Sequence, residues 1–219
     1  MAKSVRNSQT AIEVARLRVE QKSRDTRRRI IVIAVSSVVV LGLAAAVTSV
    51  FVGEIRRNAA IEQAASEPIV GVTEPPAAPA EHVESAPEPT PAKPGGTVLP
   101  PTGGSHDSVV QNCGVYTEPI ASANAVHSLE HGAVWITYQS GLDQDQVDVL
   151  TKLARNRDYT LLSPMDALAA PVVLTAWGIQ LELDDASDPR VEPFLLKYVQ
   201  GAQTPEPGAA CSGGAGDPA

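Results

Sequence analysis

The chain of 219 residues has room for one medium-sized domain with extensions. It is acidic overall, with 25 Asp and Glu against 17 Lys and Arg and a net charge of -8, but the charge is split. Residues 1–29 hold nine basic and three acidic side chains, +6, which leaves -14 for the remainder. The basic arm carries no aromatic residue, so nucleic acid is not its expected partner, and the split implies a boundary between two compartments.

That boundary follows at once. Residues 30–53 (IIVIAVSSVVVLGLAAAVTSVFVG) are 24 residues without a charge, enough for ~30 Å of hydrocarbon at ~1.5 Å per residue. A cleaved signal peptide has the same order of basic, apolar and small residues, but its apolar core is usually about 7–15 residues long. The greater length here predicts an uncleaved transmembrane helix in the lipid bilayer. Arg27, Arg28 and Arg29 stand directly before the span and only Arg56 and Arg57 follow closely. This bias places the N-terminus in the cytoplasm and the chain from Glu54 onward outside the cell membrane. Segment 1–29 is then cytoplasmic, a juxtamembrane helix against the anionic inner leaflet.

Residues 54–96 read as a disordered linker, with eight prolines, many alanines and glutamates and no aromatic residue. His82, inside it, is expected to be solvated. Composition turns globular over residues 97–201. Ala133–Tyr138 (AVWITY) is apolar without alternation, as in a strand covered on both faces. Asp143 as N-cap, Gln146 at N3 and a Leu142–Val147 staple start a helix that ends at Asn156. With a strand at Tyr159–Leu162 this makes a βαβ unit with parallel strands. Strands at Val172–Trp177 and Ile179–Leu183 and a last helix through Phe194, Leu195, Tyr198 and Val199 follow. The position of Pro193 leaves open whether that helix starts beside it or kinks. The expectation is an α/β or α+β domain with a small mixed sheet and a C-terminal helix. Residues 202–219, rich in Pro, Gly and Ala, read as a flexible tail. Cys113 and Cys211 both fall outside the membrane, where a disulfide between them is permitted; two free thiols are the alternative.

PPTGGSH (Pro100–His106), GVY (Gly114–Tyr116), VHSLEHGAV (Val126–Val134) and LTAWG (Leu174–Gly178) occur in this order. Together they resemble the bacterial family called domain of unknown function 3105, over about residues 97–200. The resemblance implies a membrane-anchored protein with an extracytoplasmic domain and no assigned activity. Ser105 stands where such members often have proline, and Cys113 is not part of the motif.

The densest chemistry is in VHSLEHG. His127, Glu130 and His131 lie at i, i+3 and i+4, on one face of a helix, and the Gly103-Gly104 turn could deliver His106 to them. Imidazole nitrogens suit zinc, copper and nickel. This set therefore reads as a metal site of His106, His127 and His131, with Glu130 as ligand or orienter. Cu(I) would want soft ligands, and Met165 is the sole methionine of the domain, so the expected ion is divalent, Zn²⁺ or Cu²⁺. The alternative is a structural or protein-interaction domain of the cell envelope, its His/Glu cluster holding the PPTGGSH loop to the core.

Enzymatic readings fare worse. H-S-L-E-H fits an inverted zinc-protease pattern, but Gly132 ends the helix at once. The cysteines lack C-x-x-C spacing, and there is no G-x-S-x-G elbow or phosphate loop. Trp135 and Trp177, at strand positions, read as core. No catalytic function is expected.

Overall fold

The computed structural model describes residues 2–75, 80–84 and 100–219. Among these, the elements run α1 (Ala2–Ser66), β1 (Val72–Thr73), β2 (Glu81–Val83), β3 (Ser105–Asp107), β4 (Gly114–Val115), α2 (Ser122–Glu130), β5 (Val134–Tyr138), α3 (Gln144–Arg155), β6 (Thr160–Pro164), β7 (Val172–Ala176), β8 (Ile179–Leu183) and α4 (Val191–Tyr198). The chain divides into two units, Met1–Asn58 and Ala59–Ala219. The first is helix. Its charge-free stretch leaves Val38, Leu41 and Val50 exposed at 71%, 69% and 72%, with no protein covering them. α1 is the one helix among the described residues long and apolar enough to cross a membrane.

The second unit is built on a six-stranded mixed sheet ordered β1-β8-β7-β5-β6-β4. β5 lies inside it, parallel to β6 and antiparallel to β7. The β5-α3-β6 crossover is the βαβ unit expected from the sequence. Every residue of β5 is buried because helices cover both faces. On one face Val134, Ile136 and Tyr138 join Leu150 and Ala154 of α3 and Phe194 and Leu195 of α4. On the other, Trp135 packs with Ala125 and Leu129 of α2. Leu129 and Trp135 are fully buried; a leucine so placed contributes about 1.5–3 kcal/mol relative to exposure. This second cluster fixes α2 on the sheet.

Local signals hold with two refinements. Asp143 stands at the N-cap of α3 but makes no side-chain capping bond. Gln146, expected to complete a capping box, instead accepts the Ala186 N–H at 3.0 Å, so a tertiary contact has displaced the local one. Pro193 is the third residue of α4, within the first turn, where a missing N–H costs no helical hydrogen bond.

The stretch expected as linker is partly built into the fold. Glu54–Ser66 continues α1, and β1 adds antiparallel to the edge strand β8. Arg190, gripped by both oxygens of Asp188 at 2.7 and 2.9 Å, donates a further bond to the Val70 carbonyl at 3.0 Å. That guanidinium holds the Asp188 carboxyl below the usual carboxylate range. β2 pairs in parallel with β3, bringing His82 opposite His106. An edge addition is held by main-chain groups, which composition does not register. The rest of the expected linker, 76–79 and 85–96, lies outside the described residues, as do residues 97–99 of the expected domain.

The tail is likewise not loose. Cys113 and Cys211 form a disulfide, with Cα atoms 5.4 Å apart across a separation of 98 residues. Around it, Asn112 N–H donates to Ala215, Ala215 N–H to Val110, and Ala219 N–H to Val115, at 2.8–2.9 Å. Main-chain pairing and one covalent link hold a segment with almost no apolar side chains to bury. Replacing both cysteines by alanine is expected to lower unfolding stability by up to about 4–5 kcal/mol, the chain-entropy limit for such a loop. Denaturant titration checks this, and an unchanged midpoint would mean that the main-chain contacts suffice.

Candidate metal centre

α2 ends in a main-chain motif that aims the site. Gly132 N–H donates to Leu129 O and Ala133 N–H to Ser128 O, both at 2.9 Å, while Gly132 takes φ +94°. This is a Schellman termination, in which a glycine without Cβ adopts the left-handed conformation and satisfies the last carbonyls. His131 is the C-cap residue and Glu130 the last helical one. His131 keeps a helical backbone, its N–H donating to His127 O at 3.1 Å, so the helix face carries His127, Glu130 and His131 together up to the cap.

The loop bearing His106 is fixed from the β7–β8 turn. Gln180 Nε2 donates to Pro100 O at 3.0 Å and Gly178 N–H to Thr102 O at 2.7 Å. The Trp177 ring lies 5.9 Å from that of His106, edge-on. His106, fully buried, donates from Nδ1 to Gly104 O at 2.7 Å. This commits the tautomer: in the neutral ring, Nε2 carries the free lone pair. That Nε2 faces Glu130 Oε2 at 3.0 Å. Glu130 is itself only 5% exposed.

His82 completes the group. Its Nε2 is 3.4 Å from Glu130 Oε2 and 3.4 Å from His127 Nε2. One donor atom from each of His82, His106, His127 and Glu130 lies within 4.8 Å of all the others. Atoms sharing one ion through bonds of ~2.0–2.2 Å lie at most about 4.4 Å apart, so the widest pair has only a few tenths of an ångström to close. His127 is 7% exposed, and its Nδ1 is buried with no hydrogen-bond partner among the described residues. Burial, then the nearby imidazoles of His131, His82 and His106, push the His127 pKa down, against a smaller upward pull from Glu130. A neutral imidazole is the form that binds metal.

The expected residues thus converge in part. The structure brings together His106, His127 and Glu130, and adds His82, which the sequence reading left in solvent. It does not bring in His131. That ring is 4.5 Å from the ring of His127, but its Nδ1 donates to Ala210 O at 2.7 Å and its Nε2 faces Glu206 at 3.5 Å. His131 fastens the tail. The protease pattern fails for the same reason, since its two histidines serve different neighbours. Met165 packs in the apolar clusters, and Trp135, donating to Ser163 Oγ at 3.0 Å, is core as expected.

The donor chemistry fits a cation. A clasp between loop and helix needs only His106 and Glu130 and gives no reason for His82 to approach. Four inward donors, three imidazoles and a carboxylate, suit a borderline divalent ion. The Nδ1–H bond of His106 to a backbone carbonyl is the orienting contact that ligating histidines usually have.

Without metal, the lowered pKa of His127 has a consequence for stability. The unfolded chain takes up a proton near the ordinary 6.5, the folded one only at lower pH. The contribution of neutral His127 is complete above that value and is lost as pH falls through the folded pKa. Denaturant midpoints of metal-stripped protein are expected to fall between pH 7.5 and about 5, and to fall less in His127→Gln; equal slopes for the two would contradict this.

A family model described as "Protein of unknown function (DUF3105)" matches residues 97–213. That region includes His106, His127, Glu130 and both cysteines, while His82 precedes it. No curated protein and no solved structure matches the chain.

Proposed function

Because the chain belongs to the family described as protein of unknown function (DUF3105), within whose region three of the four converging donors lie, we propose that its domain is a non-enzymatic module that binds one divalent metal ion. His82, His106, His127 and Glu130 are its ligands. The observation that carries this reading is their mutual approach within 4.8 Å, three of them buried. Three nitrogens, one oxygen and no sulfur suit Zn²⁺ or Cu²⁺.

The module is displayed from the cell membrane. The apolar stretch of α1 supports a bilayer anchor, and the basic residues before it support a cytoplasmic N-terminus. The disulfide supports an oxidising compartment for the domain. An ion held outside the cell membrane, on a site preformed by the fold, is the function that these features share.

The test is calorimetric titration with Zn²⁺ and Cu²⁺ of the full chain in detergent, stripped by chelator, alongside metal analysis. One ion per chain is expected. His106→Ala and His127→Ala should each weaken binding by more than the ~10–100-fold that loss of an outer-shell partner costs. His131→Ala should leave the affinity nearly unchanged. No binding, or an equal loss in His131→Ala, would overturn the assignment.

A further inference from the structure

The four ligands are not held alike. His106 is fully buried and fixed by Gly104. His127 and Glu130 sit on α2, whose end is locked by its glycine cap and whose Leu129 is buried against the sheet. The His82 side chain, by contrast, is 46% exposed. It rides on β2, three residues paired with β3 alone in a separate two-stranded sheet. A parallel pairing this short has little stability of its own. His82 is also the one ligand outside the region that the family model matches.

Removing His82 leaves two imidazoles and one carboxylate. That is the donor set of zinc sites that keep a fourth position open for water or substrate. We propose that His82 is a displaceable cap, and that the position it holds is a binding site for a small external donor, namely water or a small anion, on the ion held by His106, His127 and Glu130. This rests on the metal reading above. The site is closed when β2 is paired with β3 and open when His82 withdraws, so undocking of the segment at residues 80–84 exposes the ion to external ligands.

The probes are Co²⁺, for its visible ligand-field spectrum, and azide, as the small anion, used on the full chain in detergent. The wild type is expected to bind one Co²⁺ with a spectrum that azide barely changes. His82→Gly should still bind one Co²⁺, about 10–100-fold more weakly, the loss seen for a supporting rather than an indispensable partner. Its spectrum should shift saturably with azide, at concentrations at least tenfold lower than any change in the wild type. Free imidazole, filling the vacated position, should return it to the wild-type form. His106→Ala should show none of this.

If His82→Gly binds no Co²⁺, or if azide acts equally on both proteins or on neither, His82 is not a cap and the proposal falls. If the wild type itself binds no Co²⁺, the metal reading fails first and takes this one with it.

Discussion

A carboxylate and an imidazole nitrogen facing each other at 3.0 Å, both almost fully buried, need a positive charge between them. With His106 Nδ1–H committed to Gly104, the proton or cation has to sit on the Nε2 side. Beside it the Nε2 atoms of His82 and His127 stand 3.4 Å apart, near enough for an N–H···N bond between neutral rings or for one shared ion. One divalent ion serves both pairs at once. Burial and the neighbouring imidazoles lower the His127 pKa, which favours the neutral form that binds metal.

The scaffold makes those donors converge. Leu129 and Ala125, against Trp135 and Leu161, press α2 onto one face of the sheet, and the cap at Gly132 turns the chain directly into β5. The helix end is therefore fixed to a strand that is buried along its whole length. The opposite wall is set independently, by main-chain bonds from the β7–β8 turn to the loop at residues 100–106. Glu130 and His106 meet because two separately anchored segments face one another. The disulfide-linked tail closes the other side of the helix end through His131 and the hydrogen bond from Glu206 N–H to Glu130 O at 3.0 Å.

Much of this was legible in the sequence. AVWITY announced a strand covered on both faces, and the capped amphipathic segment after it announced the crossover to a parallel neighbour. The histidine and glutamate spacing, with a glycine-hinged loop upstream, pointed to three of the converging side chains. His131 keeps its place on the helix face beside His127, but its ring nitrogens are taken by Ala210 O and Glu206, tail groups that no local spacing announces. His82 was hidden because nothing local marks it: a short EHV among alanines, prolines and glutamates becomes a strand only by borrowing the edge of β3. The tail escaped for a related reason, since main-chain bonds and a disulfide leave no trace in apolar periodicity.

The claim on which this rests is that an ion in this protein is bound by imidazole and carboxylate together. X-ray absorption at the zinc edge of the loaded full chain reads that directly. The expected result is a low-coordinate shell of nitrogen and oxygen at ~2.0–2.1 Å with the multiple scattering of about three imidazoles, reduced by one imidazole in His127→Ala. A shell containing sulfur at ~2.3 Å, or one of water oxygens without imidazole scattering, would contradict it.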